Sequence, residues 1–424
     1  MKLRKTLERL QKLHPKEIDL SLDRIKNLCE KLGNPQKNLN SISVVGTNGK
    51  NSTIQSMRAI LSSAKIKCNI YTSPHVTKIN ERFIYNNKEI DDDELCNILS
   101  EVEEANNGDQ ITYFEILTAG FFHGTKKYKD NINIIESGLF HRFDATNILE
   151  KNIASVVTAI GIDHTDWLPE NERTIDKIIF EKTSSLLNSN IIVSNQTDKQ
   201  TLEKIKKSIK SNNSKKIIFN DLYSFSLEEN NFFYYEDEYG GLKLPIPNLL
   251  GQFQLSNVAN AIATLRNIEE LNISDNHIKE GILKIPSIAR LQEIKSGKLK
   301  KLVGQNRLIV DGGHNIGASK AISNWIKNQN QDVHIIVGMM KDKSHKEFID
   351  CFKNIVKSIQ LVDIPNQKGA ISKEEFKNKL EKSNINISLA NSIEESLKSI
   401  AKYQNSIGIC TGSLYLTGEV LNLN

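Results

Sequence analysis

The segment from residue 41 to residue 64 restricts the fold of this chain more than any other stretch of its sequence. An apolar run, SISVV (41–45), is followed at once by the octet GTNGKNST (46–53) and then by a helical pattern that ends at Ala64. A buried strand, a glycine-rich loop and a helix in direct succession form the local unit of a parallel α/β sheet. Because the loop N–H groups and the helix N-terminus face a bound anion in such a unit, the octet predicts a phosphate site.

The octet departs from the commonest nucleotide-binding loop in two places. Where that loop reads G-x-x-x-x-G-K-[ST], this chain has Val44 in place of the first glycine and inserts Asn51 between Lys50 and Ser52. The lysine still supplies a positive charge for phosphate, and a hydroxyl group after it can reach a magnesium ion. On the octet alone, an ordinary strand–helix turn of glycine-rich composition is the alternative interpretation.

Strand and helix patterns alternate along most of the remaining chain, which predicts parallel sheets covered by helices on both faces. The sequence therefore predicts an α/β protein with two domains. An N-terminal P-loop-type parallel-sheet ATPase domain is expected at residues 1–295 and a smaller C-terminal Rossmann-like α/β domain at residues 305–424, with a linker at 295–304. The further predicted strands are 68–73, 132–137, 153–164, 308–313, 334–340, 359–364 and 407–412.

Two other segments have local patterns. Residues 1–33 have helical spacing of leucine and isoleucine, which ends at Gly33. The stretch NNFFYYEDEYGGLKL (230–244) predicts a β-hairpin with its turn at the Gly-Gly pair.

Composition excludes several classes of protein. The formal charge is +5, from 56 basic and 51 acidic residues in 424, which is too weak a bias to favour nucleic acid or a membrane surface. The five cysteines are far apart in sequence and match no zinc or disulfide spacing, so a reducing compartment is expected. No apolar run approaches the ~18 residues of a membrane span. We therefore expect a cytoplasmic protein that binds neither nucleic acid nor membrane.

Eight ordered blocks of the sequence resemble the folylpolyglutamate synthase and dihydrofolate synthase family of the Mur ligase superfamily. The resemblance runs from about residue 18 to residue 420 and is weakest at 188–243. The family's loop commonly reads GTNGKGS, so the extra position is shared and only Asn51 departs, in place of a glycine. If that glycine needed a positive φ, asparagine would be the least costly substitute. The blocks are GTNGKNST, YTSPHVTKINER, FEILTA, DATN, GIDHT, Glu181–Lys182, DGGHN and TGSLYLTGEV.

The resemblance implies an ATP-dependent amide ligase. The substrate carboxylate would take the γ-phosphoryl group of ATP, and the amine of L-glutamate would attack the resulting acyl phosphate, with ADP and phosphate as products. The implied substrates are dihydropteroate or a reduced folate, L-glutamate and ATP. Magnesium is the implied metal, with K⁺ as a further cation, and a monomer is expected. The C-terminal domain is expected to bind glutamate and to close on ATP.

The resemblance also implies roles for individual residues. Lys182 matches a lysine that is carbamylated in relatives, which would make it an anion beside the metal ions. The implied catalytic residues are Lys50, Glu136, His164, Lys182 and His314. The implied nucleotide-binding residues are Gly46, Thr47, Asn48, Gly49, Lys50, Asn51, Ser52, Thr53, Asn257, Arg290 and Asp311. The implied metal ligands are Ser52, Ser73, Glu136 and His164, and the implied substrate residues are Phe114, Arg142, Phe143, Asp144, His314, Ser413 and Tyr415.

Each of these residue types also has an ordinary structural explanation. A serine after a strand is usually a helix cap, an isolated histidine is more often structural than a ligand, and a lysine is usually on the surface. An aromatic residue in an apolar run, such as Tyr415, is usually part of the core. These explanations stay open for every single position, although several of the residues follow predicted strands, where ligands of α/β sheets bind.

The sequence departs most clearly from the family at GLFHRFDATN (138–147), where the family commonly reads GLGGRLDATN. Phe140 and His141 replace glycines, so their side chains must either fill space or move the backbone. The favoured hypothesis is an enzyme with both synthase activities. The alternatives are an enzyme with one of them, a ligase of a different carboxylate, and a degenerate relative that binds nucleotide without catalysis.

Overall fold

The computed structural model describes residues 2–14, 21–380 and 385–424, and the chain forms two compact units. The first unit contains the chain up to His164, Leu168–Pro247 and Ser256–Ile285, and the second contains Thr165–Trp167, Asn248–Leu255 and Pro286–Asn424. Part of the helical prediction for residues 1–33 falls on residues 15–20, which lie outside the described residues.

The helices up to Ile282 are α1 (Lys2–Leu13), α2 (Asp23–Lys31), α3 (Lys50–Ser63), α4 (Asp92–Asn106), α5 (Tyr113–Thr125), α6 (Ile175–Thr183), α7 (Lys199–Ser208), α8 (Phe253–Arg266) and α9 (Asp275–Ile282). The strands are β1 (Ser41–Val45), β2 (Cys68–Tyr71), β3 (Phe83–Tyr85), β4 (Lys88–Glu89), β5 (Ile132–Glu136), β6 (Ala154–Val157), β7 (Asn190–Val193), β8 (Lys216–Ile218), β9 (Tyr223–Glu228), β10 (Phe232–Asp237) and β11 (Gly240–Pro245). Short 3₁₀ turns occur at Ile79–Arg82, Thr165–Trp167 and Glu170–Glu172.

The main sheet of the first unit has eight strands in the order β4-β3-β2-β5-β1-β6-β7-β8. All neighbours are parallel except the pairs that involve β3 and β4. β1 lies between β5 and β6, with Val44 opposite Glu136 and Val45 opposite Val157. The carboxyl ends of these three strands therefore lie side by side, which is where ligands of such sheets bind. The predicted fold class is confirmed.

Apolar side chains cover both faces of this sheet. The three central strands β1, β5 and β6 are buried along their whole length, as expected for parallel strands between helix layers. One hydrophobic cluster joins β2 to α2, α4 and α5. A second cluster joins the ends of β1, β6 and β7 to α6 and α7. Both layers hold the strand ends in fixed positions.

The predicted hairpin at 230–244 exists, but its turn was placed wrongly. β10 and β11 pair with Asp237 opposite Gly240, so the two-residue turn is Glu238–Tyr239 and the glycines begin β11. The Tyr234 hydroxyl occupies the space where a Cβ atom of Gly241 would lie. The Gly-Gly pair therefore makes room for a cross-strand tyrosine rather than forming the turn. With β9, these strands make a separate sheet of three.

The second unit has a six-stranded sheet in the order β12-β13-β17-β14-β15-β16, in which only β12 is antiparallel to its neighbour. Its strands are β12 (Gln292–Glu293), β13 (Arg307–Val310), β14 (Asp332–Val337), β15 (Ser358–Leu361), β16 (Ile387–Leu389) and β17 (Ser406–Thr411). Its helices are α10 (Lys298–Leu302), α11 (Ile316–Lys327), α12 (His345–Asp350), α13 (Lys373–Lys379), α14 (Ile393–Ile400) and α15 (Leu414–Leu423).

The segment that we expected to be a linker, 295–304, contains α10. Leu299 and Val303 are buried and pack with Val310 and Val420 in the core of the second unit. The compact units divide near residue 285 instead. Among the residues that the model describes, no helix is both long enough and apolar enough to cross a membrane.

The glycine loop depends on how α3 is held, and this gives a first testable prediction. A Cβ atom on Gly281 of α9 would lie 2.6 Å from Ile60 Cα and 2.8 Å from Ile60 N of α3. Gly281→Ala should therefore destabilise the protein by about 1–3 kcal/mol, although alanine alone favours a helix. The measurement is the midpoint of urea unfolding.

Gly120→Ala in α5 is the matched control for this substitution. There the nearest atom to a new Cβ is the flexible Leu99 Cδ2 at 3.3 Å, so we expect a smaller loss of stability. Equal midpoints for the two variants would contradict the close helix contact.

Candidate active site

The loop 46–53 leaves β1 and is fastened to the chain that follows β6. The backbone N–H groups of Thr47 and Asn48 both donate to Ala159 O, at 2.9 and 3.0 Å. Thr47 Oγ1 exchanges hydrogen bonds with the backbone O and N of Gly161, each at 3.1 Å. Because β6 lies next to β1, these bonds hold the loop over the carboxyl edge of the sheet.

Two glycines of the loop have conformations and surroundings that exclude a side chain. Gly46 has a φ of +147°, and Gly49, at the start of α3, has a φ of +89°. A Cβ atom on Gly46 would collide with Thr158 Oγ1, and one on Gly49 would collide with Asn257 Oδ1. Asn257, which the sequence predicted as a nucleotide contact, therefore lies directly against the loop.

Lys50 begins α3 and folds back over the loop. Its Nζ donates to Gly46 O at 3.1 Å and lies 3.9 Å from Glu136 Oε1. Ser52 and Thr53 follow in the first turn and are buried. The start of α3 has no side-chain cap, so the amide groups of its first turn suit an anionic ligand. The loop therefore fits a phosphate group.

Asn51 lies inside α3 and is not among the residues with positive φ. The condition under which a glycine would be needed at this position is therefore not met. An asparagine in the first turn of a helix has only a modest propensity cost. The departure of Asn51 from the family's glycine leaves the loop conformation intact.

Ser73 and Glu136 meet at the ends of the neighbouring strands β2 and β5. The backbone N–H of Ser73 donates to Glu136 Oε2 at 3.2 Å, and the other carboxylate oxygen of Glu136 faces Lys50. The structure therefore brings Lys50, Ser73 and Glu136 together. Glu136 is buried at the end of a strand in the sheet interior, so it is not a surface charge.

His164 lies beyond the end of β6 in a left-handed conformation, with a φ of +58°. Its backbone N–H donates to Asp163 Oδ1 at 2.9 Å, and its Nε2 lies 4.0 Å from Asp163 Oδ2. A non-glycine residue with positive φ is uncommon and often marks a functional site. Sequence reasoning missed Asp163, although the GIDHT block already placed a carboxylate before the histidine.

The predicted metal ligands fit magnesium as part of a larger coordination shell. In the described ranges, no three His, Cys, Asp or Glu side chains converge on one point. A closed protein-only metal site is therefore absent from that part of the chain. Magnesium commonly takes one or two carboxylates and completes its shell with phosphate oxygens and water. Glu136, with the hydroxyl-bearing Ser73 beside it, matches that pattern.

Asp144 organises the loop that follows β5. Its Oδ2 accepts from the backbone N–H groups of Gly138 and Leu139, at 2.9 and 3.1 Å. Its Oδ1 accepts from Thr146 N at 3.0 Å and from Thr146 Oγ1 at 2.6 Å. Burial raises the pKa of Asp144, and these hydrogen bonds oppose the rise. Phe114 lies against the same loop, 3.0 Å from where a Cβ atom of Gly138 would lie.

Phe140 and His141, which replace family glycines, fill space in the interior. Phe140 is 1% exposed and packs in the cluster that contains Ile178 and Ile179 of α6. His141 is buried, and its Nδ1 shares a hydrogen bond with Ser137 Oγ at 2.9 Å. Burial lowers the pKa of His141 to about 4, so the imidazole is neutral at physiological pH. Both side chains are part of the core.

Arg142 is tied to α6 by a bidentate ion pair. Its Nε and Nη2 donate to the two carboxylate oxygens of Glu181, at 2.8 and 2.7 Å, and its backbone N–H donates to Glu181 O at 3.0 Å. The guanidinium carbon lies 4.2 Å from the ring centre of Phe143 and 5.4 Å from that of Phe180. Phe180 is 45% exposed, and nothing in the sequence pattern singled it out.

Lys182 is buried, so the ordinary explanation of a surface lysine was wrong. Its Nζ donates to Leu139 O at 2.7 Å and lies 5.5 Å from the ring centre of Phe140. Burial, with a contribution from the charge of Lys50, lowers the pKa of Lys182 to about 7. A substantial fraction of this amine is therefore neutral near physiological pH, which is the form that reacts with carbon dioxide.

In the second unit, Asp311 ends β13 and holds the segment that carries Arg290. Asp311 Oδ2 accepts from Leu291 N at 2.8 Å, and Oδ1 accepts from Gly313 N at 2.7 Å. Burial raises the pKa of Asp311, and the charge of Arg290 opposes the rise. Ala289 and Leu291, on either side of Arg290, have φ values of +55° and +44°. Positive φ values at two residues that are not glycine are strained, so the surroundings hold the backbone on both sides of Arg290.

His314 and the start of α15 lie at the ends of the adjacent strands β13 and β17. His314 Nδ1 bonds to Gly312 O at 3.0 Å, so Nδ1 carries a proton and Nε2 is the acceptor nitrogen of the neutral ring. Ser413 Oγ accepts from Tyr415 N at 3.1 Å and caps α15. Tyr415 is 45% exposed, so its explanation as a core aromatic was wrong.

Comparisons with known proteins identify relatives of this chain. Residues 298–414 match the family model of the Mur ligase, glutamate ligase domain. A dihydrofolate synthase/folylpolyglutamate synthase of Haemophilus influenzae is 29% identical over 433 residues, which cover 97% of this chain and 95% of that protein. The protein of the same name from Buchnera aphidicola subsp. Acyrthosiphon pisum is 30% identical, over 82% of this chain and 80% of the relative.

Solved structures match the whole chain. An Escherichia coli FolC in complex with DHPP and ADP has a TM-score of 0.87 at 26% identity, over 99% of this chain and 97% of that one. A bifunctional folylpolyglutamate synthase/dihydrofolate synthase from Yersinia pestis, complexed with AMPPNP and a Mn ion, has a TM-score of 0.86 at 26% identity, over 99% of this chain and 97% of that one. By its sequence, fold and candidate site, the chain belongs to the dihydrofolate synthase/folylpolyglutamate synthase family of ATP-dependent Mur ligases.

Proposed function

We propose that this chain joins L-glutamate by an amide bond both to dihydropteroate and to the glutamate tail of reduced folates, with conversion of ATP to ADP and phosphate. The observation that carries the proposal is the convergence of Lys50, Ser73 and Glu136 at the ends of adjacent strands, beside a glycine loop that fits phosphate. Relatives from Haemophilus influenzae, Escherichia coli and Bacillus subtilis carry the names of both activities.

The reaction has two group-transfer steps. An oxygen of the acceptor carboxylate attacks the γ-phosphorus, the bond from that phosphorus to the β–γ bridging oxygen breaks, and ADP leaves. The amine nitrogen of glutamate then attacks the acyl carbon, the bond to the phosphate oxygen breaks, and the nitrogen gives up a proton. Both steps are favoured by positioning and by neutralisation of charge, rather than by covalent chemistry of the protein.

In the first unit, one group of residues would bind the triphosphate of ATP and a second group would bind the pteroate or folate. Lys50 and the N–H groups of the loop would hold the β and γ phosphates, with Asn257 against the same loop. Magnesium, held by Ser52, Ser73, Glu136 and His164, would neutralise charge on the phosphates, and K⁺ is a further candidate cation. The pterin side would contact the loop organised by Asp144. The other residues proposed on that side are Phe114, Arg142 and Phe143.

In the second unit, Arg290 and Asp311 are the proposed nucleotide residues, and His314, Ser413 and Tyr415 are the proposed glutamate residues. His314 fits a role toward an amine, because its Nδ1 proton is committed to Gly312 O and Nε2 can accept a proton. The proposal assigns ATP and folate to residues 1–295, glutamate to residues 305–424, and a monomeric enzyme.

The alternatives are an enzyme with only one of the two activities and a relative that binds nucleotide without turnover. The burial of Phe140 and His141 within the core favours an open acid site, because neither side chain is then available to obstruct it. The unstrained conformation of Asn51 favours a loop that still binds ATP.

The decisive measurement is ADP release by the purified protein with magnesium, ATP and L-glutamate, with dihydropteroate or a reduced folate as acceptor, and mass spectrometry of the product. We expect a gain of glutamate on both acceptors, and a loss of at least about 100-fold in kcat for Lys50→Ala, because charge neutralisation at phosphate is lost. A gain on reduced folate alone would restrict the function to chain extension. ATP binding without ADP release for any acceptor would favour the nucleotide-binding relative.

We propose that Lys182 is carbamylated in the active enzyme, since its buried amine has a pKa lowered to about 7 and reacts only when neutral. The neutral fraction grows as the pH rises through 7, so bicarbonate should reactivate enzyme depleted of carbon dioxide faster at pH 8 than at pH 6. Lys182→Met should be inactive and unresponsive to bicarbonate. Lys204→Met, which removes a partly exposed lysine of α7 that pairs with Asp176, is the control. Full activity of carbon dioxide-depleted enzyme would refute the carbamate.

The core position of Phe140 gives a prediction that separates stability from substrate binding. Phe140→Ala should cost about 3–5 kcal/mol of unfolding free energy, because it leaves a cavity between the sheet and α6. Its KM for dihydropteroate should stay within about threefold of the wild-type value in protein that remains folded. Phe143→Ala should show the opposite pattern, because Phe143 is partly exposed beside Arg142. A raised KM for Phe140→Ala without loss of stability would place Phe140 in the acid site.

A further inference from the structure

Arg82 presents two unused guanidinium nitrogens beside the proposed active site. Its Nε donates to His75 Nδ1 at 3.0 Å, and since Nε can only donate, His75 Nδ1 must hold a lone pair. Within residues 2–14, 21–380 and 385–424, neither terminal nitrogen of Arg82 has a hydrogen-bond partner. His75 therefore orients the guanidinium of Arg82, and the two terminal nitrogens, Nη1 and Nη2, remain to bind another group.

The segment that carries this pair is held firmly by one carboxylate. Glu81 accepts from the backbone N–H groups of Val76 at 2.7 Å and of Thr77 and Lys78 at 3.0 Å each. The Thr77 hydroxyl donates to the same carboxylate. Because Glu81 precedes Arg82 and these donors follow His75, the carboxylate closes the segment 75–82 into a compact loop.

Several contacts place Arg82 between the phosphate side and the pterin side of the site. Ser73, two residues before His75, bonds to Glu136 on the phosphate side. The backbone N–H of Thr72 donates to Arg82 O at 3.2 Å, so Arg82 lies beside the end of β2, next to the segment that carries Ser73.

On the pterin side, the Tyr71 ring stacks on Phe114 with ring centres 6.2 Å apart. Tyr71 ends β2, so the segment from Tyr71 to Ser73 runs from Phe114 on the pterin side, past Arg82, to Glu136 on the phosphate side. An acid that binds across this site must place its carboxylate near the junction of the two sides.

We propose that Arg82, oriented by His75, binds the carboxylate of the pteroate or folate that accepts the phosphoryl group. This rests on the proposed ligase function and adds a residue to its acid site. A planar guanidinium matches a carboxylate with two parallel hydrogen bonds, and it keeps its charge at any physiological pH. Arg82 contacts the carboxylate oxygen that does not attack phosphorus and stays on it as the acyl oxygen, where negative charge develops when the amine of glutamate attacks the acyl carbon.

The first test compares two ligands on one variant. Arg82→Gln should weaken the binding of dihydropteroate by about 30-fold or more, because a charged partner of the carboxylate is lost. For a dihydropteroate analogue that lacks the carboxylate, the same substitution should change the dissociation constant by no more than about threefold. The affinity for ATP should stay unaltered. Lys78→Ala is the matched control, since it removes an exposed cation of the same segment whose ion pair is with the surface residue Glu89.

The second test separates positioning from chemistry. His75→Ala should lower the rate at which hydroxylamine traps the acyl phosphate as a hydroxamate by about 10-fold or more, with the KM for L-glutamate unchanged. His75→Asn should restore much of that rate, because its side-chain oxygen can accept the Nε proton of Arg82. No rescue by asparagine would overturn the positioning role of His75.

Equal weakening of both ligands by Arg82→Gln would overturn the proposal, because it would show that Arg82 only shapes the segment. The absence of any change would overturn it too. If Arg82→Gln does not fold, Arg82→Lys is tested with the same two ligands. The proposal is also refuted if the wild-type protein binds the dihydropteroate analogue without a carboxylate as tightly as dihydropteroate itself. Failure of the ligase function itself is distinct, because wild-type protein would then form no product with any acid.

Discussion

The parallel pairing of β1 with β5 and β6 is the constraint on which the site depends. With Val44 opposite Glu136 and Val45 opposite Val157, the three strands end at the same height. The glycine loop, the Glu136 carboxylate and the chain after β6 must then occupy the same few ångströms. A shift of one residue in this register would turn every side chain to the other face and separate Lys50 from Glu136.

Backbone amides satisfy three carboxylates that shape loops in the two units. Asp144, Asp311 and Glu81 each accept from two or more backbone N–H groups. A buried carboxylate needs such donors, and amides fixed by the chain hold it without a mobile partner. Glu181 is satisfied differently, because its buried carboxylate is paired with Nε and Nη2 of Arg142.

The sequence predicted the central strands because each is a short apolar run followed by a glycine or polar residue, but the prediction of β6 was wrong at its end, since the strand predicted to reach residue 164 ends at Val157. β1, β5 and β17 were found within one or two residues of their observed ends. Conformations that depend on distant packing were not predictable. The hairpin turn was predicted at the Gly-Gly pair, but the Tyr234 hydroxyl occupies the space over Gly241 and the turn comes before the pair. The helix α10 was missed because its burial depends on a core that later strands complete.

The sequence predicted which residues belong to the candidate site better than it predicted their contacts and exposure. The order of the motif blocks pointed to Lys50, Ser73 and Glu136, and these three meet in the structure. The exposure of Tyr415 and the burial of Lys182 could not be read from spacing, since each depends on which neighbours cover it. Glu81 shows the same limit, because its role is visible only once three backbone amides converge on it.

The replacement of two family glycines by Phe140 and His141 shows how a site tolerates change in its own loop. The new phenylalanine extends the core between the sheet and α6, and the new histidine bonds to Ser137, so both side chains are buried. Asp144 still accepts from the amides of Gly138 and Leu139 in the same loop. Because these hydrogen bonds use the backbone of the loop, the buried side chains can vary while the bonds are kept.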